Sequence, residues 1–147
     1  AVKIMAELPK IERASANKIL VIDDEENILE LIKEALAVYG YNVETVCDGE
    51  AALRAVNNQS YDLIICDWKI PGISGQSIYE RLRQMNPQAL ERFLFITGDI
   101  LGENAEKFLR VEKKICLFKP FSIEQFRTTV QEVLHSNPPE PSDLTTT

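Results

Sequence analysis

The sequence predicts an α/β fold, a doubly wound (βα)5 arrangement in which a parallel five-stranded sheet carries helices on both faces. Short apolar runs alternate with segments of helical period along the chain, which is typical of repeated strand and helix units. The apolar runs are nearly continuous rather than alternating, which indicates strands that are buried on both faces. Right-handed crossovers between such strands place helices on both sides of the sheet.

The first unit has the clearest pattern. An apolar strand at 18–22 precedes an amphipathic helix within 25–39, which has acidic residues in its first turn and Gly40 just beyond its end. We expect one face of this helix to pack on the sheet. The residues predicted on that face are Ile28, Leu31, Ile32, Ala35 and Leu36.

Four further units follow at ordinary spacing, and the last of their helices has a clear apolar face. The predicted strands are 42–46, 61–66, 93–96 and 115–118, and the predicted helices are 49–57, 75–85, a weaker one at 103–111, and a last one with Ile123, Phe126, Val130, Val133 and Leu134 on one face.

Chemically reactive side chains stand where four of these strands end. Asp23 and Asp24 follow the first strand, Asp67 the third, Thr97 the fourth and Lys119 the fifth. Because the carboxyl ends of parallel strands meet at one edge of a sheet, these groups are expected around one crevice. Carboxylates that hold a divalent cation, a hydroxyl donor and an ammonium together suit a phosphoryl group carried on one carboxylate. The sequence therefore predicts a phosphoaspartate site at Asp67.

Each of these residues also has a simpler interpretation when it is taken alone. Asp24 is acceptable as a helix cap, Thr97 as an ordinary strand residue, and Lys119 as a solvated charge at a strand end. The segment 70–72, Ile-Pro-Gly, fits a type II turn without any function. The joint occurrence of all of them in this order is what favours the site.

Composition limits the classes of partner. The 147 residues fit one domain, and the 45% of hydrophobic residues form no run near the roughly 20 that a membrane helix needs. A net charge of −7 and a pI near 4.8 disfavour nucleic acid as a ligand. We expect protein partners and no membrane contact by this chain.

The three cysteines, Cys47, Cys66 and Cys116, lie in or at the end of apolar strands and lack metal-site spacing. We interpret them as small buried thiols in a reducing compartment, which predicts a cytoplasmic location.

The Asp23-Asp24 pair, the segment 67–75 (Asp-Trp-Lys-Ile-Pro-Gly-Ile-Ser-Gly), Thr97-Gly98 and the segment 119–121 (Lys-Pro-Phe) resemble the receiver domains of two-component response regulators. The resemblance covers roughly residues 18–135 and implies a flavodoxin-like fold. It also implies that Asp67 accepts a phosphoryl group from a phosphohistidine. The donor would be the phosphohistidine domain of a histidine kinase or a histidine phosphotransfer protein.

The same resemblance implies a set of ligands. Asp24 and Asp67 would bind Mg²⁺ directly, together with the backbone carbonyl of Lys69, and Asp23 would act mainly through a bound water. Mn²⁺ is the expected substitute. Thr97 and Lys119 would bind phosphoryl oxygens. A cis peptide bond before Pro120 is expected at this place.

Three residues bear on how such a site would work here. Cys116 stands where many receivers carry Tyr or Phe, so the usual aromatic switch is absent. Lys69, two residues after the acceptor, is expected to affect the access of hydrolytic water. His135, the chain's only histidine, lies near the end of the last predicted helix, where a cation favourably meets the helix dipole. No acidic kinase box surrounds it, so we expect this chain to receive phosphate rather than to supply it.

The flanking segments suggest a wider context. We interpret residues 1–17 as an extension similar to the closing strand of a sensor kinase ATP-binding domain, and 136–147 as a disordered tail. Together with Thr-Gly-Asp at 97–99, this favours an excised fragment of a hybrid sensor histidine kinase, whose parent would be an ATP-dependent protein-histidine kinase.

Three alternatives stay open. One is a stand-alone single-domain regulator, and a second is a degenerate receiver that binds partners without phosphate. The third is a haloacid-dehalogenase-like phosphatase, which is disfavoured because Lys69 stands where that family needs an acid two residues after the nucleophile.

Overall fold

The computed structural model describes residues 17–136, which form a five-stranded parallel sheet in the order β2-β1-β3-β6-β7 with helices on both faces. The predicted fold class is therefore confirmed. Our interpretations of residues 1–16 and 137–147 concern segments outside this description. The elements are β1 (Lys18–Ile22), α1 (Glu26–Ala37), β2 (Asn42–Val46), α2 (Gly49–Asn58), β3 (Leu63–Asp67), β4 (Lys69–Ile70), β5 (Ile73–Ser74), α3 (Gly75–Met85), a 3-10 helix (Pro87–Leu90), β6 (Phe93–Thr97), α4 (Glu103–Glu112), β7 (Ile115–Phe118) and α5 (Ile123–His135).

The order of the strands creates one switch point. The chain passes from β1 outward to β2 and then crosses back to β3 on the other side of β1. The strand order reverses between β1 and β3, and in open α/β sheets ligands bind outside the carboxyl ends of strands at such a point. Asp23 follows β1 and Asp67 ends β3, so two of the predicted carboxylates flank it.

The central strands bury both of their faces, as their continuous apolar sequences predict. One face of the sheet packs against α1 and α5 and is mostly aliphatic; we call it the aliphatic cluster. The other face packs against α2 and α3 and carries most of the rings; we call it the aromatic cluster. The rings fully buried in the aromatic cluster are Tyr79, Phe93 and Phe95, with Trp68 and Phe108 packed against them.

The predicted apolar face of α1 is wrong by part of a turn. Leu29, Ile32 and Leu36 are buried, whereas Leu31 is 42% exposed. Leu29 and Leu36 lie three residues before and four after Ile32, on one stripe, while Leu31 is rotated away by about 100°. The predicted face of α5 is closer, because Phe126, Val130, Val133 and Leu134 are all buried.

The Ile-Pro-Gly turn forms the tip of a short antiparallel hairpin, β4–β5. Gly72 at this tip has φ +84°, as the third residue of a type II turn requires. Directly after the hairpin, a Cβ on Gly75 would lie 2.5 Å from the carbonyl oxygen of Asp67. The start of α3 is therefore packed directly against the backbone of the predicted acceptor.

The cysteines differ in burial. Cys66 is buried and Cys116 is half-buried, but Cys47 is exposed, so our interpretation of it as a buried thiol is wrong. Cys47 follows the edge strand β2, whose residues are at most half-buried, and so it reaches the surface. Burial raises the pKa of the Cys116 thiol to about 11, so this side chain stays protonated and packs as an apolar group.

None of the helices within residues 17–136 combines the length and the hydropathy needed to cross a membrane.

Candidate functional site

The predicted side chains stand at one edge of the sheet. Asp67 and Thr97 are the last residues of β3 and β6, and Asp23 and Lys119 come directly after β1 and β7. Asp23 and Thr97 are fully buried and Asp67 is 5% exposed. Because polar groups are rarely buried so completely without a role, this edge is the candidate functional site.

The ammonium of Lys119 lies at the centre of the site. Its Nζ atom is 3.1 Å from Asp23 Oδ2, 3.0 Å from Asp67 Oδ2 and 3.0 Å from Glu25 Oε1. Burial of the amine lowers its pKa, but the hydrogen bonds to Asp67 and Glu25 and the charge of Asp23 outweigh burial and raise it above its ordinary value. Lys119 is therefore a permanent cation in this site.

Asp23 is held from both of its oxygens. Oδ1 accepts a hydrogen bond from the backbone N–H of Glu25 at 2.9 Å, and Oδ2 faces Lys119. Burial, with a further contribution from the charge of Asp67, raises the pKa of Asp23 to about 6 in spite of these partners. The site thus holds a carboxylate whose ionised form is costly until more positive charge arrives.

Asp67 is oriented in a similar way. Its Oδ1 accepts from the backbone N–H of Lys69 at 3.1 Å, and its Oδ2 faces Lys119 at 3.0 Å. The N–H of Trp68 donates to the carbonyl of Ile96 at 2.7 Å, which extends the β3–β6 pairing past the acceptor. The carboxylate is therefore fixed at the crevice by backbone on one side and by a cation on the other.

Thr97 lies on the β6 side of the crevice. Its hydroxyl oxygen accepts from the backbone N–H of Asp99 at 3.1 Å, and its carbonyl accepts from the backbone N–H of Lys119 at 2.7 Å. The second bond ties the Thr97 and Lys119 strand ends together. The peptide bond between Lys119 and Pro120 is cis, which confirms that expectation.

Two predicted metal-site residues lie outside the central group. Asp24 is exposed. Glu25, rather than Asp24, occupies the N-cap position of α1, so the helix-cap interpretation of Asp24 is wrong. The side chain of Lys69 is also exposed, and its Nζ is 3.7 Å from Asp99 Oδ2.

Glu25 is the residue that sequence reasoning missed. One oxygen each from Asp23, Glu25 and Asp67 lie within 4.8 Å of one another. The only signal in the sequence was the acidic run at 23–26, Asp-Asp-Glu-Glu, which does not tell which carboxylates turn toward Asp67.

The donor set fits a hard divalent cation. The group consists of carboxylate oxygens, two of them on buried residues, and three carboxylates outnumber the one ammonium. Mg²⁺ prefers oxygen ligands of this kind and retains several waters. Added positive charge would stabilise the ionised form of Asp23, whose pKa is raised by burial and, to a smaller extent, by the charge of Asp67.

A family model described as the response regulator receiver domain matches residues 19–131, and the chain belongs to this family. Among curated relatives, the chain is similar to the sensor protein EvgS of Escherichia coli O157:H7, with 32% identity over 90% of this chain and 11% of EvgS. It is also similar to the phosphate regulon transcriptional regulatory protein PhoB of Rhizobium meliloti, with 34% identity over 84% of this chain and 54% of PhoB. The chain thus spans a small part of the sensor protein and about half of the regulator.

Solved structures agree with this family. The chemotaxis response regulator CheY4 of Vibrio cholerae matches with a TM-score of 0.71 and 27% identity, covering 80% of this chain and 98% of CheY4. The receiver domain of the sensor histidine kinase PA1611 of Pseudomonas aeruginosa matches with a TM-score of 0.72 and 27% identity, covering 82% of this chain and 98% of that domain. That structure holds a magnesium ion coordinated in its active site cleft.

The protein is therefore a receiver domain of two-component signalling. Receiver domains work with histidine kinases or with phosphotransfer proteins.

Proposed function

We propose that Asp67 accepts a phosphoryl group from a phosphohistidine of a histidine kinase or a histidine phosphotransfer protein. The observation that carries this proposal is the Asp67 carboxylate itself. It is 5% exposed at the switch point of the sheet, with a permanent cation 3.0 Å from one oxygen. In the transfer, an oxygen of Asp67 bonds to phosphorus as the phosphorus–nitrogen bond breaks, and the electron pair returns to the imidazole nitrogen.

The three carboxylates of Asp23, Glu25 and Asp67, which we call the acidic group, form a site that would hold Mg²⁺, with Mn²⁺ as a substitute. Asp67 and Asp23 are candidate ligands by position, with Asp24 and the backbone carbonyl of Lys69 as the further ligands that the family resemblance implies. When bound, the ion neutralises the charge that otherwise builds up between the carboxylates and the phosphoryl oxygens.

Two further residues would stabilise the transferred group. Lys119 already contacts Asp67 Oδ2, so a small shift of its Nζ would bring it to a phosphoryl oxygen on that carboxylate. Thr97 would donate its hydroxyl hydrogen to another phosphoryl oxygen, while its oxygen keeps the bond from the Asp99 N–H. Both groups are fixed at strand ends before the reaction, which lowers the cost of orienting them.

For the context of this domain, we favour the receiver of a hybrid sensor histidine kinase in the cytoplasm over a stand-alone regulator. The support for this context is the similarity to the sensor protein EvgS, together with the Thr-Gly-Asp segment at 97–99, which resembles receivers fused to hybrid kinases. The length of the open reading frame before Ala1 distinguishes the two. A long upstream kinase sequence supports the hybrid kinase, and a start codon near Ala1 supports the stand-alone regulator.

The test is the intact mass of the protein after incubation with acetyl phosphate or phosphoramidate, with and without Mg²⁺. We expect one phosphate per chain only with Mg²⁺, and none in Asp67→Asn. Asp62→Asn is the matched control, because Asp62 is an exposed aspartate at the opposite edge of the sheet. A phosphate adduct that persists in Asp67→Asn would contradict the proposal. Steady release of phosphate from small esters would instead favour the phosphatase alternative.

A further inference from the structure

The hydrogen bonds of Lys119 are fully used in this structure. An ammonium has three N–H donors, and the Nζ atom has three carboxylate partners at 3.0 to 3.1 Å. A phosphoryl oxygen that arrives on Asp67 therefore has to replace one of these partners before Lys119 can donate to it.

The three partners differ in how readily they can leave. Asp23 is fully buried, and its second oxygen is held by the backbone N–H of Glu25. Asp67 is the residue that receives the group. The side chain of Glu25 is 59% exposed, so its carboxylate can rotate into water at little cost. Glu25 is the partner that a phosphoryl oxygen can displace.

We infer that Glu25 is a positioning residue that occupies the third donor of Lys119 in the resting domain and has to give it up when Asp67 is phosphorylated. This inference rests on the phosphoacceptor function proposed for Asp67. The side chain of Lys119 is only 15% exposed and lies between these carboxylates. A phosphoryl group that approaches Lys119 therefore comes close to the negative charge of Glu25. Glu25 slows phosphorylation in two ways. Its carboxylate competes with the phosphoryl oxygen for an N–H of Lys119, and its negative charge repels the anionic molecule that supplies the phosphoryl group.

The test compares Glu25→Gln with Glu26→Gln at saturating Mg²⁺. Both variants remove one negative charge from the start of α1, but Glu26 is an exposed residue of the first helical turn outside the acidic group. A general field effect therefore appears in both variants, and a contact effect appears only in Glu25→Gln. Thermal unfolding of each variant verifies that it is folded.

Two quantities are measured for each protein. One is the rate of phosphorylation by phosphoramidate. The other is the affinity for beryllofluoride, a non-covalent phosphoryl mimic, followed by the fluorescence of Trp68, the chain's single tryptophan, which adjoins Asp67. We expect Glu25→Gln to raise both the phosphorylation rate and the beryllofluoride affinity by about fivefold, which is the largest effect expected for a partly exposed ion pair. Glu26→Gln should have nearly the native rate and affinity.

The failures are distinguishable. If the native protein is labelled at Asp67 but Glu25→Gln has the native rate and affinity, the inference about Glu25 is overturned and the proposed function stands. The same holds if Glu26→Gln raises the rate and the affinity as much as Glu25→Gln does. If the native protein takes up no phosphate and binds no beryllofluoride, both are overturned.

Discussion

The two helices that follow the Thr97 and Lys119 strand ends are anchored very differently. α5, after Lys119, buries Phe126, Val130, Val133 and Leu134 in the aliphatic cluster. By contrast, none of the ten described residues of α4, the helix after Thr97, is buried. One side of the site thus rests on a firmly packed helix, and the other leads to a loosely packed one.

The ends of these helices differ in the same sense. The hydroxyl of Ser122 caps α5 by accepting from the N–H of Gln125 at 2.9 Å, whereas the N-cap residue of α4 is Gly102, which has no side chain to form such a bond. α4 is held by the half-buried Phe108 and Leu109, which pack against the aromatic cluster, and by polar contacts to Glu112, which accepts from the Tyr79 hydroxyl and from Arg83, each at 2.8 Å. Elements with little apolar burial open first, so we expect the Thr97 side to be the more dynamic one.

The largest expected effect is on the packing of α5. Phe126→Ala would leave a cavity in the aliphatic cluster, where Phe126 is fully buried and stacks on Phe121. We expect a loss of about 3–5 kcal/mol in the free energy of unfolding. Phe108→Ala, on half-buried α4, should cost clearly less. Urea denaturation of both variants measures this, and equal losses would remove the contrast between the helices.

The second effect concerns the charged side of the site. The folded-state pKa of Asp23, about 6, lies above its ordinary value of 3.8, so the folded protein holds this proton more tightly than the unfolded chain does. Its contribution to stability is therefore fully present below the ordinary value and is lost as pH rises through about 6. Asp23→Asn removes this loss, and we expect the metal-free variant to be more stable than native at pH 7 by on the order of 1–2 kcal/mol.

Denaturation of the metal-free proteins at pH 4 and at pH 7 measures this difference. The advantage of Asp23→Asn should be large at pH 7 and small at pH 4. An advantage that is independent of pH would mean that Asp23 does not titrate in this range.

A smaller effect is expected at the start of α5. Ser122→Ala removes the side-chain cap and should destabilise the protein by about 1 kcal/mol. The comparison variant is Ser122→Asn, which keeps a capping oxygen and should have a free energy of unfolding close to that of the native protein. If Ser122→Ala also lies near native, the cap contributes nothing to the anchoring of α5.

The smallest effect is expected at the start of α4. Gly102 has an extended backbone, and a Cβ there would meet no atom within 4 Å, so Gly102→Ser can add a cap without strain. We expect a gain of only a few tenths, about 0.3 kcal/mol, because glycine is itself a tolerable N-cap. Amide exchange within 103–112 measures this gain in stability. Faster exchange in the variant than in the native protein would contradict the expectation that the serine of Gly102→Ser caps α4.

Much of this fold and site could be predicted from the sequence. Continuous apolar strands fix a parallel sheet, and a parallel sheet collects its strand ends, which is why Asp67 and Lys119 could be brought together from order alone. The weaker helix predicted at 103–111 is also present, as Glu103–Glu112.

What could not be predicted depends on side-chain direction. Periodicity defines an apolar stripe to within about one residue, which is too coarse to tell Leu29 from Leu31 on α1. Which acid of the 23–26 run turns toward Lys119 depends on the path of the loop between β1 and α1, and that path is set by tertiary packing. Glu25 could therefore be recognised only in the structure.

Mapping the phosphorylated residue tests the role of Asp67 as phosphoacceptor directly. Borohydride reduces an aspartyl phosphate to homoserine, which peptide mass spectrometry locates after labelling with phosphoramidate and Mg²⁺. We expect homoserine at position 67 alone. Homoserine at position 23 or 24, or a phosphate that resists reduction and maps to His135, would contradict it.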